Sequence, residues 1–315
     1  TLIGSGPEKI NQLLGSFIVP QGVAGSISIR LNTQKGALSD SHTIEFFNLG
    51  KIQDGFPITL DLTAGAYATY ASCPPVVEDI DGDGDKEIIV CTIASGIYLH
   101  VINHDGSVLP GWPQPIPDSG TRVPAVGNID SDPEKEIILM TNGALIAWNH
   151  DGTQVPNWPK IDTYGGGVTL ANIDSDSALE ILVPVTSGTS AKFYAYNGDG
   201  STVSGWPISN AESSSQGNFL TAYEDGGKIL ATLKFKSAVY QNNGQLYAQW
   251  TKNATVNEIF SASSFIADLN NDGTFEVGEF TDIGFALRSM LGVKIWEKTI
   301  EFSSQGSSAV GDLDG

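Results

Sequence analysis

Between Asp79 and Glu87 the chain reads Asp-Ile-Asp-Gly-Asp-Gly-Asp-Lys-Glu, with an acid at every second position. Hard cations such as calcium take about six to eight oxygen ligands at roughly 2.3–2.6 Å, and carboxylates spaced two apart on a tight loop can converge on one ion. Asp79, Asp81 and Asp83 would supply side chains from positions 1, 3 and 5. Gly84 permits the sharp turn, position 7 offers the backbone carbonyl of Asp85, and Glu87 at position 9 closes the shell. The side chains of Asp85 and Lys86 are then expected to face solvent.

The pattern returns three times. Asn128, Asp130, Asp132, the carbonyl of Glu134 and Glu136 form a second set. Asn172, Asp174, Asp176, the carbonyl of Ala178 and Glu180 form a third, and Asp268, Asn270, Asp272, the carbonyl of Thr274 and Glu276 a fourth. Pro133 and Ser177 stand where the first loop has Gly84, so weaker binding is expected in those two. The cofactor reading is Ca2+, up to about four ions. An acidic turn, with Asx side chains bonding local amides, is the plain alternative. Four loops that cluster carboxylates in phase favour metal, because such clusters repel without a cation. The helix–loop–helix calcium hand begins in the same way but needs a bidentate Glu at position 12. That position holds Val90, Leu139 and Val183 in the first three loops, while Glu279 occupies it in the fourth. The repeat period assigns the fourth to the same class as the others.

The elements that must hold these loops are short strands. Each loop runs into an apolar, β-branched segment such as "EIIVCTI" or "EIILM". The loops start at 79, 128, 172 and 268, and "AVGDLDG" reopens the pattern at Asp312 and Asp314. The long third interval places a copy near residue 220, where "FLTAYEDGGKILATL" keeps the strand–turn–strand pattern without most of the acids. Two markers run in step: Trp112, Trp158, Trp206, Trp250 and Trp296, the first three followed by Pro, and Asn/Asp-Gly hairpin signals at "NHDG", "NGDG" and "NNG". Four strands in roughly 46 residues, the fourth ending in Trp-Pro, is the period of a β-propeller blade. The fold class is therefore all-β, a β-propeller of four-stranded blades. Seven blades are expected, with six as the alternative and the last blade incomplete in this chain. Residues 1–62 read as a degenerate first blade or N-terminal segment, with strands in "SISIRLN" and "HTIEFFN". Residues 63–315 read as the propeller blades.

"VVEDIDGDGDKEIIV", "AVGNIDSDPEKEIIL" and "GWP" resemble the FG-GAP repeats of integrin alpha chains and their prokaryotic secreted relatives. The resemblance covers about residues 60–315. It implies calcium bound between blade strands and an extracellular module for adhesion, recognition or surface assembly. Some polysaccharide lyases carry propellers with similar loops, so a carbohydrate-active propeller, or the accessory domain of a secreted hydrolase, is one alternative. A structural subunit of a surface layer or filament is another.

Composition narrows the partners. Acids outnumber bases 36 to 16, giving a formal charge of −20, a poor match to nucleic acid or an anionic membrane surface. No apolar run is long enough to span a bilayer. The expected partner is a protein or glycan ligand at the cell surface, with self-assembly as a further option, and the expected location is secreted or surface-displayed. No nucleophile elbow, His-Glu-x-x-His or phosphate loop is present, so the reading leans away from an enzyme. His104 and His150 read as exposed turn residues, and the periodic tryptophans as packing between blades. Trp148, off that register, reads as a candidate for surface recognition, and Asn253-Ala-Thr255 is a formal glycosylation acceptor. Cys73 and Cys91 flank the first loop, so a cross-strand disulfide and two buried thiols both remain open. Alkylation in denaturant without reductant, followed by intact-mass measurement, decides between them: a disulfide leaves both cysteines unmodified, and two added labels exclude it.

Overall fold

The computed structural model describes residues 24–35, 38–49, 55, 56, 58 and 60, and residues 74–299 apart from 94–95, 118–122, 163–166, 175, 188–189, 211–218, 224–226, 234–235, 252–263, 271 and 282–283. The chain divides into two compact units, Thr1–Thr59 and Leu60–Gly315. In the first, β1 (Ala24–Lys35) and β2 (Leu38–Leu49) pair antiparallel along their full length. These cover the two strands expected there. The continuation of that expected blade lies largely outside the described residues, as do Cys73, Asn253 and the restart at Asp312.

The second unit contains five consecutive four-stranded antiparallel meanders. Blade one is β3 (Val76–Glu78), β4 (Glu87–Ile93), β5 (Ile97–Ile102) and β6 (Gln114–Ile116). Blade two is β7 (Ala125–Gly127), β8 (Glu136–Met140), β9 (Ala144–Trp148) and β10 (Lys160–Ile161). Blade three is β11 (Thr169–Ala171), β12 (Glu180–Ser187), β13 (Ser190–Tyr196) and β14 (Ile208–Asn210). Blade four is β15 (Phe219–Tyr223), β16 (Lys228–Thr232), β17 (Lys236–Gln241) and β18 (Leu246–Thr251). Blade five is β19 (Phe265–Ala267), β20 (Glu276–Thr281), β21 (Gly284–Ser289) and β22 (Lys294–Thr299). The acid-poor copy near residue 220 is thus a complete blade.

The central strands of blades two to four are apolar at successive positions because both faces of those sheets are covered. All of β8 and β9 is buried. Ile137 and Leu139 face back into a cluster with Ile89, Cys91, Leu99 and Val101 of blade one, while Ile138 and Met140 face forward onto Ile181 and Val183 of blade three. The same division continues through Leu182 and Phe193 against Ile229 and Ala231, and through Leu230 and Val239 against Val277. Each of the valine, leucine, isoleucine, phenylalanine and methionine side chains among them contributes about 1.5–3 kcal/mol by leaving water. Five meanders stacked face to face in chain order define an all-β propeller fold.

The tryptophans tie consecutive blades. The indole N–H groups of Trp112, Trp158 and Trp206 donate to the carbonyls of His150, Gly198 and Asn242, each at 2.8 Å in the next blade's hairpin turn. Their fixed place is therefore a packing position. Trp148 is corrected: it is 4 % exposed and lies in the blade one–blade two core with its ring 6.2 Å from that of Trp112. Position 148 falls on a strand with two buried faces, so leaving the tryptophan register did not bring it to the surface.

The expected fourth strand ending in Trp-Pro is also corrected. In blades one to three, β6, β10 and β14 begin after the proline. Proline has no N–H for the ladder, so it is confined to the start of a strand. Ahead of it the chain makes an extra turn, closed by bonds from Trp112 N to Leu109 O, Trp158 N to Val155 O and Trp206 N to Val203 O. Where Thr251 and Glu297 replace the proline, β18 and β22 run through Trp250 and Trp296.

Glu279 lies within β20 and closes no calcium hand. It is fully buried and accepts from Ser237 Oγ at 2.6 Å, Trp250 Nε1 at 2.8 Å and Arg288 Nε at 2.7 Å. Blade four therefore docks on a buried carboxylate of blade five, where the earlier seams use a turn carbonyl.

These seams are close. A Cβ on Gly111, at φ +88°, would lie 1.8 Å from Asp151 O across the seam, whereas one on Gly84, at φ +95°, would meet nothing within 4 Å. Gly84→Ala is expected to cost about 1–2 kcal/mol for its left-handed backbone alone, and Gly111→Ala about 3–5 kcal/mol. Denaturant unfolding measures both, and equal costs would contradict contact between the turns.

Candidate metal centre

In an antiparallel meander the first and third connections leave the same end of the sheet. The acidic loop and the Asn/Asp-Gly turn of one blade are accordingly neighbours, and His104 Nδ1 lies 3.6 Å from Asp85 Oδ2. The turn acids have a separate structural duty. Asp105, Asp151 and Asp199 each accept the backbone N–H two residues on, from Ser107, Thr153 and Ser201. Hydrogen bonds from these residues hold their carboxyls below the usual range.

Each acidic loop closes on its position-9 glutamate. Ile80 N donates to Glu87 Oε2 at 2.9 Å, Ile129 N to Glu136 at 2.8 Å, Ile173 N to Glu180 at 2.6 Å and Leu269 N to Glu276 at 3.0 Å. The isoleucine at position 2 plugs the core in the first three loops, which carries the glutamate inside with it. In the fourth loop Leu269 is 45 % exposed.

The aspartates are oriented by loop amides. Asp79 accepts from Gly82 N and Gly84 N, Asp81 from Asp83 N, and Asp83 from Asp85 N. In the second loop Asn128 Nδ2 donates to Asp132 O, Asp130 accepts from Asp132 N, and Asp132 from Glu134 N. The third loop repeats this with Asn172 on Asp176 O, Asp174 on Asp176 N and Asp176 on Ala178 N. Taken alone, these bonds are those of an acidic Asx turn.

The glutamates are not explained by a turn. Glu87 and Glu136 are fully buried, and the Oε1 atom of each is buried without a hydrogen-bond partner. Three sets of carboxylates each converge to within 4.8 Å: Asp79, Asp81 and Glu87; Asp130, Asp132 and Glu136; Asp174, Asp176 and Glu180. That spread suits oxygens on opposite sides of an ion bound at about 2.3–2.6 Å. Burial raises the Glu136 carboxyl to about 7, with the Asp130 and Asp132 charges adding to it. Burial, followed by the neighbouring aspartates, likewise raises Glu87 and Glu180. A cation reverses that balance by favouring the charged form. These residues fit a divalent metal with oxygen ligands.

The fourth loop differs. Asp272 accepts the Thr274 backbone N–H and hydroxyl and the Asn270 amide, and these bonds lower its carboxyl. Its acids, Asp268, Asp272 and Glu276, form no such cluster among the described residues. Asp85 is exposed as expected, but with Asp83 it approaches His104 closely enough to make a further group that sequence spacing did not suggest. Of the two cysteines, Cys91 is buried in the core between blades one and two.

No protein-family model matches the chain, and no curated protein does. Solved structures with a similar backbone include the V. cholerae biofilm matrix protein Bap1, at 12% identity over 91% of this chain and 82% of that one, TM-score 0.46. A europium-containing methanol dehydrogenase shares 11% identity over 75% of this chain and 53% of its own, TM-score 0.49. A quinoprotein alcohol dehydrogenase-like protein from Bacteroides thetaiotaomicron shares 8% over 86% and 81%, TM-score 0.35. The class of the chain, a β-propeller bearing acidic clusters that can hold metal, rests on its own sheets and loops.

Glu136→Gln keeps the acceptor for Ile129 N and removes the buried charge. In chelator at pH 8 the variant is expected to be more stable than wild type by about 1–3 kcal/mol. The sign follows from the raised carboxyl: the native state binds the proton more tightly, so metal-free stability falls as pH rises from about 4.5 through about 7. The variant lacks that fall, and a destabilised, equally pH-dependent variant would contradict the assignment.

Proposed function

We propose that this chain is an extracellular, calcium-binding β-propeller of the FG-GAP type, acting as a non-catalytic module for adhesion, recognition or surface assembly. The observation that carries the metal reading is the open, buried carboxylate oxygen on Glu87 and Glu136 beside converging aspartates. A buried charge with an unused acceptor is costly unless a cation completes it. The oxygen-only donor sets suit calcium among the available metals. The excess of acids over bases fits a module exposed to free calcium outside the cell. No helix among the described residues is long and apolar enough to cross a membrane.

In this role calcium supplies rigidity. It neutralises each loop and joins the first two strands of a blade, and the hairpin turns beside the loops are left to meet a protein or glycan ligand. A site filled at a hundred times its dissociation constant contributes about 2.7 kcal/mol, which in a unit this size is about 5–10 °C of Tm per loop. Calcium is therefore expected to raise the melting temperature by that amount or more over chelator, measured by differential scanning fluorimetry. An unchanged Tm with saturating calcium would overturn the metal reading.

A further inference from the structure

The acidic loops are bonded to one another. Lys135 N, at position 8 of the second loop, donates to the carbonyl of Ile80 in the first at 2.9 Å. Leu179 N, at position 8 of the third, donates to the carbonyl of Asn128 in the second at 3.0 Å. In both cases the donor immediately precedes the position-9 glutamate of its own loop, Glu136 or Glu180.

The acceptors are equally committed. The Asn128–Ile129 peptide has its N–H on Glu136 Oε2 and its C=O on Leu179 N, so one rigid plane is held from two loops. Ile80 has its N–H on Glu87 and its C=O on Lys135 N. Two further contacts fix the same joints: Lys135 Nζ bonds Glu78 Oε1 at 2.8 Å, one residue before the first loop, and Gly198 packs so closely on Ile129 O that a Cβ would lie 1.8 Å from it.

We propose that the first three loops fill cooperatively, an ion in one loop ordering its neighbours through these shared peptide groups. This rests on the calcium reading above. An ion that seats Glu136 fixes the backbone that Ile80 needs on one side and the peptide that receives Leu179 on the other, so the next ion finds part of its loop already ordered. Charge acts in the opposite direction, because a filled loop attracts a second cation less. That effect is screened within about 8 Å at physiological salt and within about 3 Å at 1 M, whereas the hydrogen bonds are not. The series stops at blade four, whose connection has lost most of its acids, so the loop at 268 is outside it.

The test is a calcium titration of protein labelled with 15N-glycine and 15N-alanine at high salt, followed by NMR. Gly84 reports the first loop, Ala178 the third and Gly273 the fourth. In wild type, Gly84 and Ala178 are expected to respond with a Hill coefficient above one, and Gly273 with a simple hyperbola. Disabling the second loop by Asp130→Asn with Asp132→Asn is expected to raise the half-saturating calcium at Gly84 and Ala178 by about fivefold or more, leaving Gly273 unchanged. Hyperbolic wild-type curves, or reporters indifferent to the double substitution, would overturn the coupling while leaving calcium binding intact. No calcium-dependent shift at any reporter would overturn the calcium reading itself. The wild-type Hill coefficient decides the matter even if the variant fails to fold.

Discussion

The loop end of the sheets depends on one hydrogen bond, from the amide of loop position 2 to the carboxylate of the position-9 glutamate. It recurs four times, between 2.6 and 3.0 Å. By pinning a residue to one seven places on, it closes the loop between the first two strands of a blade. It also sorts the side chains. In the first three loops isoleucine turns into the core, and the glutamate is drawn in behind it with the aspartates gathered on its outer side.

That arrangement costs stability unless a cation completes it. A buried carboxylate with an unused oxygen destabilises the metal-free protein. The surrounding blades sustain it with seams that are apolar on both faces and cross-linked by tryptophan N–H bonds. Where the loop loses its acids, in blade four, the seam chemistry changes too. Its tryptophan turns to Glu279, and Arg288 completes a buried ion pair. Such a pair is strongly destabilising when broken from one side, so this seam is specified by charge where the others are specified by shape.

Much of this was legible in the residues. Alternating acids at a fixed period mark the loops. Tryptophan in step marks the seams. The acid-poor copy near 220 was found by period alone. What stayed hidden was mostly backbone. The bonds from Lys135 N and Leu179 N leave no trace in side-chain identity, and the extra turn ahead of Trp-Pro reflects the N–H that proline lacks. The burial of Trp148 and the seam role of Glu279 leave no mark in the repeat for a different reason. Each residue sits in a strand with two buried faces, where leaving the repeat register signals a change of packing partner and not exposure. The group of Asp83, Asp85 and His104 joins a loop to a turn distant in sequence, which only the meander brings together.

The central claim is that the buried glutamates are metal ligands. A crystal structure grown with calcium, with anomalous differences measured at long wavelength, tests it most directly. The expected result is a peak in the first and second loops within about 2.3–2.6 Å of a Glu87 or Glu136 carboxylate oxygen and of the adjacent aspartates. Well-ordered loops with water or nothing at those points, and with the glutamate oxygens turned to other partners, would contradict it.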